Sequence, residues 1–372
     1  MVAPQYSGVQ TSVDDPSAEN LPLVALDEIR AAAATLRGVA VRTPLLPFPS
    51  AGPGAWLKPE SLQPIGAFKI RGAYVAIAGL SPEARRRGVI THSSGNHAQA
   101  VARAARLFGI PAVIVMPENA PAVKVERTRA DGAEIVFCGP AGDERIAVAH
   151  RLAEERGLTL VPPYDDRAVV AGQGTVGLEI VEDLAARGER GEPGAPGSPA
   201  PTVFVPIGGG GLAAGVATAV KTLRPDARVF GVEPELAADA RDSLREGRIV
   251  RWPAELTGRT IADGQRVQAV GRIPFAHLRR FLDGVVTVTE EAIVEAMRVA
   301  AREARLVVEP SGATAIAALL ESAGEAGESG EAAGPRVAVV SGGNVDPAFF
   351  ARILAGGTGR AGRHAPFVAP GG

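Results

Sequence analysis

The chain has 372 residues, with 39 lysines and arginines against 41 aspartates and glutamates; a net charge this near zero leaves no basic field for nucleic acid or an anionic membrane. That length allows two domains or one large α/β unit, and with 46% hydrophobic but only 4% aromatic residues, alanine, valine, leucine and glycine must fill the core. Cys138 is the only cysteine, which excludes an intramolecular disulfide or a Cys-x-x-Cys site, and no apolar run reaches the roughly 18 residues of a membrane span.

Residues 1–24 read as a disordered lead. They are polar, carry Asp14, Asp15 and Glu19, and lack the basic start and apolar stretch of a secretory signal, so the expected location is the cytoplasm. An alanine-rich helix is predicted from Leu26 to Leu36, stopped by Gly38. Arg42-Thr43-Pro44-Leu45 and Trp56-Leu57-Lys58-Pro59-Glu60 read as extended pieces broken by prolines. Then comes Gly66-Ala67-Phe68-Lys69-Ile70-Arg71-Gly72-Ala73, which enters a helix. Apolar surroundings disfavour an ammonium ion, so Lys69 is a candidate nucleophile or base; the competing reading is an ordinary surface lysine.

From Ser81 onward strands and helices alternate regularly. Strands are predicted at Val89–Thr91, Ala112–Met116, Glu134–Cys138 and Leu158–Val161, with helices at Ala98–Phe108, Ala122–Ala130 and Asp143–Arg156. The pattern argues for a parallel sheet with right-handed crossovers. The loop Ser93-Ser94-Gly95-Asn96-His97 follows the first of these strands. A second α/β unit opens near Val169 with a helix through Leu184. Residues 187–201 are Gly/Pro-rich and read as a flexible surface insertion. The strand Thr202–Ile207 ends in Gly208-Gly209-Gly210-Gly211, followed by a helix at Leu212–Leu223 and a strand at Val229–Val232. Further on come a strand at Val285–Val288, helices at Glu290–Ala304 and Ala313–Leu320, and a strand at Val337–Val340 leading into Ser341-Gly342-Gly343-Asn344. Residues 322–335 and 356–372 read as loose.

Consecutive glycines between a strand and a helix turn backbone N–H groups toward one anion, and the helix N-terminus adds partial positive charge. A second reading competes: Gly208-x-Gly210-x-x-Ala213, with Glu233 at the end of the next strand, satisfies a dinucleotide fingerprint and would make a nicotinamide-dependent oxidoreductase. That reading leaves Lys69 and the Ser93–His97 loop without a use. Lysine, polar loop and phosphate cradle together supply what pyridoxal phosphate requires.

At this point the chain resembles the fold-type II pyridoxal-phosphate enzymes, in the threonine dehydratase and serine racemase branch. The motifs are FKIRGA (68–73), SSGNHAQA (93–100), MPENAP (116–121), AGQGT (171–175), GGGGL (208–212), TIADG (260–264) and SGGN (341–344), in the family's order. The resemblance implies a tryptophan synthase β-like α/β fold: two open, twisted, mostly parallel sheet domains flanked by helices. The large cofactor-binding domain would be discontinuous, residues 25–77 and 161–355. A small domain, residues 78–160, would carry the SSGNH loop and close over substrate.

The resemblance also implies roles. Lys69 would hold the cofactor covalently and, once released by substrate, move the α-proton. Phe68 would lie against the pyridine ring, Asn96 would bond its 3-oxygen, and Gly208, Gly209, Gly210 and Gly211 would cradle the phosphate. Ser341 would meet the ring nitrogen; a hydroxyl there leaves the ring neutral, which relatively favours loss of a β-substituent. Ser94 would be the acid/base on the face opposite Lys69. Ser93, Ser94 and His97 would bind the substrate carboxylate, with Arg145 as a charged partner, against the alternative of a solvated helix arginine. Glu233, Asp239 and the carbonyl of Ala237 match a site for Mg²⁺ or Ca²⁺, against the plainer reading of a strand end and a helix start. Glu309 either points toward the cofactor or precedes Ser311 as a helix cap. The implied reaction is β-elimination from L-threonine, giving 2-oxobutanoate and ammonia, with L-serine second, in a homodimer. Serine racemase and hydroxyaspartate ammonia-lyase are the alternatives. Ala67 stands where a serine is common, and Val267 where racemases carry a substrate-contacting serine. No regulatory module follows residue 355, and histidine after Asn96 argues against the cysteine-synthase branch.

Overall fold

The computed structural model describes residues 21–120, 122–139, 142–187, 200–325 and 334–356. The expected lead to residue 20, residues 188–199 of the insertion and the tail from 357 lie outside them.

Helix α1 (Leu26–Thr35) is followed by short β1 (Leu46–Pro47), β2 (Ala55–Pro59) and α2 (Lys69–Ala78). Next come α3 (Pro82–Arg87), β3 (Val89–His92), α4 (Asn96–Phe108), β4 (Ala112–Pro117), α5 (Ala122–Ala130), β5 (Glu134–Cys138), α6 (Gly142–Arg156) and β6 (Thr159–Leu160). The chain then returns through α7 (Arg167–Ala186), β7 (Thr202–Pro206), α8 (Gly211–Leu223), β8 (Arg228–Pro234), α9 (Asp239–Glu246), α10 (Ala254–Thr257), α11 (Arg272–Phe281) and β9 (Gly284–Val288). It ends with α12 (Glu290–Val299), α13 (Pro310–Glu325), β10 (Arg336–Val340) and α14 (Pro347–Leu354).

Two open sheets result. A six-stranded sheet has the order β1-β2-β10-β7-β8-β9, parallel except for β1. A four-stranded sheet, β5-β4-β3-β6, is wholly parallel. The side-chain period of two sorts the larger sheet's core onto its two faces. Val203, Val205, Val337 and Val339 pack on the layer of α1, α7 and α8. Phe204, Ala338 and Val340 pack on that of α12 and α13. Burial on both faces explains why these strands are apolar without a break. Close helix crossing needs glycine: a Cβ on Gly172 of α7 would lie 2.7 Å from the carbonyl oxygen of Arg71 in α2.

Strand register positions the site. Arg336 of β10 pairs with Thr202 of β7, so the two strands run side by side in one direction. The glycine loop after β7 and Ser341 after β10 therefore leave the same edge of the sheet, the carboxyl edge where α/β proteins bind ligands. A bridge between Ala67 and Gly342 brings the lysine stretch to that edge.

Some element boundaries differ from expectation. The helix from Glu290 stays α-helical only to Val299; a π turn at Ala300–Ala304 follows, closed by Arg305 at φ 59°. Helix α13 starts three residues before the expected Ala313 and continues to Glu325, so residues 322–325 are helical rather than loose. Ser311 does not cap it: its hydroxyl accepts the Gly264 N–H at 2.8 Å. Asp239 does start a helix, α9, as its plainer reading had it, whereas α10, α11 and α14 are not marked by the apolar pattern, although Asp346 caps α14 with Pro347 at its first position. Among the described residues no helix is long and apolar enough to cross a membrane.

Candidate active site

Lys69 opens α2. Its amine donates to the Pro163 carbonyl at 2.6 Å and sits 5.1 Å from the centre of the Phe68 ring. Among the described residues no carboxylate pairs with it. The residue is half-buried, yet its amine is enclosed enough that desolvation brings its pKa down to about 8. Close to neutrality a useful fraction of this amine is unprotonated and nucleophilic.

The neighbouring residue, Tyr164, connects the lysine to the glycine loop. A Cβ on Gly209 would fall 2.1 Å from the Tyr164 ring, so only glycine lets loop and ring lie against one another. Gly210 takes φ 89° as N-cap of α8, a conformation few side chains tolerate. Gly208 leans on Gly264, the last residue of TIADG. Backbone amides at the start of a 13-residue helix thus face the sheet's carboxyl edge without side chains. Tyr164 belongs to the stretch Pro163-Tyr164-Asp165-Asp166, which resembles that of the dehydratases, but the sequence assigns its ring no role; only the fold brings it against the loop.

On the other side, the Phe68 amide donates to the Ser341 carbonyl at 3.0 Å. The Ser341 hydroxyl makes one long bond, 3.3 Å, to the Ser311 carbonyl, and is buried. Among the described residues no charged group holds it. Asn96, at the first position of α4, donates from Nδ2 to Glu309 at 2.7 Å and accepts from Asn344 at 2.8 Å. Glu309 also accepts the Asn344 amide at 3.1 Å. Burial, and next Asp263, raise the Glu309 pKa to about 7 against the pull of Asn96 and Lys124. Glu309 therefore reaches the site through Asn96.

The loop residues lie in reach of the same edge. Ser93 accepts the Gly95 amide at 3.2 Å, whereas the Ser94 hydroxyl makes no hydrogen bond among the described residues. His97 is buried with Nε2 on the Val161 carbonyl at 2.9 Å and Nδ1 unpartnered. Desolvation and then Lys69 push its pKa down to about 3, so it is neutral. Arg145 stands farther off, on α6 beside His92 and Cys138. Its Nε is enclosed and unpartnered. The arginine and desolvation together lower the His92 pKa to about 4, burial being the larger cause.

Glu233 and Asp239 come together behind the glycine loop, close to Tyr164, whose pKa is raised by burial first and then by Asp165 and Asp239. Both Glu233 oxygens accept backbone amides at the start of α9, Ala240 at 3.0 Å and Arg241 at 2.8 Å. That capping role takes the carboxylate away from any ribose and removes the support for the dinucleotide reading. Asp239 is fully buried with neither oxygen hydrogen-bonded. Desolvation pushes it up to about 8 and holds Glu233 well above its usual range. Ala237 is buried in the turn between them. Among the described residues no cluster of three or more His, Cys, Asp or Glu side chains is arranged for a metal.

The residues fit pyridoxal phosphate on structural grounds. An unpaired, weakly basic lysine, an anion cradle without side chains and a neutral hydroxyl all converge on one sheet edge. Comparison with known proteins agrees. A family model described as pyridoxal-phosphate dependent enzyme matches residues 36–342. The chain is similar to the L-threonine ammonia-lyase of Thermotoga maritima, 41% identical over 92% of this chain and 80% of the relative. It is similar also to the L-threo-3-hydroxyaspartate ammonia-lyase of Saccharomyces cerevisiae, 42% identical over 82% of this chain and 87% of the relative. Among solved structures, maize serine racemase superposes with a TM-score of 0.80 at 38% identity, covering 90% of this chain and 98% of that one.

Proposed function

The chain belongs to the pyridoxal-phosphate dependent enzymes, and on that premise we propose that it is an ammonia-lyase for hydroxy-amino acids. L-threonine, the first substrate, gives 2-oxobutanoate and ammonia; L-serine, the second, gives pyruvate and ammonia. The observation that carries the reading is the Lys69 amine, unpaired and with its pKa near 8, on the edge shared by the glycine loop and Ser341.

Bound pyridoxal phosphate supplies an electron sink for charge developing at the substrate's α-carbon. Gly208 to Gly211 would hold its phosphate at the start of α8, Phe68 would flank its ring, and Asn96 would offer it an N–H. Ser341, a buried uncharged hydroxyl, would meet the ring nitrogen without protonating it, which would suit loss of a β-substituent. Lys69 takes the α-proton. Ser94, with its hydroxyl uncommitted, is the proton carrier on the opposite face. Ser93 donates to the substrate carboxylate, while His97, neutral and with its Nε2–H given to the Val161 carbonyl, lines the site beside it and offers only an acceptor at Nδ1. Residues 78–160 act as a small domain that closes on the remainder and excludes water.

Arg145 favours a second reading, 3-hydroxyaspartate, because a half-buried guanidinium with its Nε unpartnered, and no acidic partner among the described residues, suits a substrate carboxylate. Racemisation is disfavoured by apolar Val267. We further assign Mg²⁺ or Ca²⁺ to Asp239, Glu233 and the Ala237 carbonyl, since hard oxygen donors suit these ions and a divalent charge would compensate the buried acids. A homodimer in the cytoplasm completes the proposal and is supported by sequence resemblance and composition.

The test is keto-acid release from L-threonine, L-serine and 3-hydroxyaspartate, with the absorbance spectrum recorded and Lys69→Ala as control. A visible cofactor band and keto acid, both lost in the control, are expected. A band without keto acid would refute the lyase reading.

A further inference from the structure

Asn344 lies at the junction of four segments, and each of its polar groups is engaged. One Nδ2 proton goes to the Ile65 carbonyl at 2.8 Å, the other to Asn96 Oδ1 at 2.8 Å. Its Oδ1 accepts Arg127 of α5 at 2.9 Å, and its backbone amide donates to Glu309 at 3.1 Å. Contact with the turn before Lys69 is close: a Cβ on Gly66, which has φ 73°, would lie 2.6 Å from Asn344 Oδ1.

The partners leave no freedom in the amide's orientation. The Ile65 carbonyl can only accept and the Arg127 guanidinium can only donate, so Nδ2 must face the first and Oδ1 the second. With Asn344 so fixed, Asn96 must present its oxygen to the Asn344 N–H. Its own NH₂ then faces the Glu309 carboxylate, which takes one proton at 2.7 Å and leaves the other uncommitted. Were Asn344 absent, Asn96 would keep only one tether, and its amide could turn about that contact.

We propose that Asn344 is a positioning residue for the reaction: it sets the orientation of the Asn96 amide, and so of the free N–H that Asn96 offers the cofactor ring, from the segment that delivers Lys69. The inference rests on the functional reading above. Arg127 extends the arrangement to the small sheet, because its hydrogen bond joins α5 to the Ser341–Asn344 loop.

A mutant cycle on apoprotein titrated with pyridoxal phosphate tests it, with the visible band and keto-acid release both followed. Asn344→Ala should weaken cofactor binding and lower kcat by roughly tenfold each, the scale of losing one or two oriented hydrogen bonds, and should shift the band. In an Asn96→Ala background the same change should alter each quantity by less than about twofold, because residues acting through one contact are not additive. Asn344→Asp, nearly isosteric, keeps the acceptor for Arg127 but loses both donors; it is carried through the same cycle in case the alanine variant does not fold. Losses that multiply independently in the two backgrounds would overturn the proposal, as would wild-type binding and spectrum in Asn344→Ala. If wild-type protein binds the cofactor and releases keto acid while the cycle shows no coupling, only this inference fails. If wild-type protein binds no cofactor, the functional reading fails and this inference with it.

Discussion

Arg71, two residues past the lysine, offers the sharpest test of how the site is supported. It is 1% exposed. Its guanidinium meets Glu60 at 2.7 and 2.9 Å, Glu179 at 2.6 and 3.0 Å, Thr175 at 3.0 Å and the Val41 carbonyl at 3.1 Å. Burial alone would raise the Glu60 pKa, but the charge and hydrogen bonds of Arg71, aided by Lys58 and Thr43, outweigh it and hold the carboxyl below its ordinary value. Arg71→Met keeps most of the bulk and removes the cation. Removing one partner of a buried ion pair costs about 3–5 kcal/mol. Here Lys58 still pairs with Glu179 at 2.7 Å, so the loss falls mainly on Glu60 and the lower end, about 3 kcal/mol, is expected.

The pH dependence carries a sign. In the wild type the depressed Glu60 contributes stability that is present above its unfolded pKa of 4.5 and is lost as pH falls through the lower folded value. In the variant burial is less opposed, so Glu60 takes up a proton on mild acidification and part of its cost disappears. Urea unfolding of the apo chain should therefore show the largest gap between variant and wild type near pH 7.5, narrowing toward about pH 5. Adding Glu60→Gln to Arg71→Met should restore part of the loss. A gap below about 1 kcal/mol at neutral pH, or one that stays constant on acidification, would refute the reasoning.

Three further outcomes follow from the same geometry. Gly209→Ala forces a Cβ against the Tyr164 ring, so it should cost about 1–3 kcal/mol of stability and weaken cofactor binding; an unaltered pyridoxal phosphate titration would contradict the cradle assignment. Asp239 holds a proton the unfolded chain has released, so it makes stability fall as pH rises from about 4 to about 8; Asp239→Asn should flatten that slope, and Ca²⁺ or Mg²⁺ should raise the wild-type melting temperature but not the variant's. Arg145→Met removes an enclosed guanidinium with an unpartnered Nε, so the fold should be no less stable, while KM rises roughly tenfold if a substrate carboxylate is its partner; an unchanged KM would return Arg145 to the status of a packed helix residue.

What could be read from the sequence was local. Strand and helix alternation shows in periodicity, and Lys69, the Ser93–His97 loop and the glycine loop stand in stretches whose composition announces strained turns or altered basicity. What could not be read was set by distant neighbours. The Lys69 amine meets a carbonyl 94 residues on, Asn96 meets Glu309 across 213, and Arg71 meets Glu179 across 108. An arginine in a chain reads as surface until its acids are placed, though Lys58 inside an apolar strand, with Glu60 just beyond it, was a signal that charge is buried here. Glu233 shows the opposite failure. Its position at a strand end was correctly placed, but its use depends on α9, a polar helix that the apolar pattern did not reveal.

The same distinction says why the lysine's basicity belongs to the fold rather than to its motif. Flanking Phe68 and Ile70 point elsewhere in part: Phe68 packs toward the core of the larger sheet and Ile70 toward that of the smaller. The surroundings of the amine are brought by the fold: burial lowers its basicity, its hydrogen bond goes to the Pro163 carbonyl, and among the described residues no acid pairs with it. Glu60 and Glu179 are committed to Arg71, and Glu309 to Asn96 and Asn344. A carboxylate brought against Lys69 would raise its pKa and leave less neutral amine near pH 7. Enclosure without a counter-charge is therefore a property of the assembled sheet edge, where these acids have partners of their own.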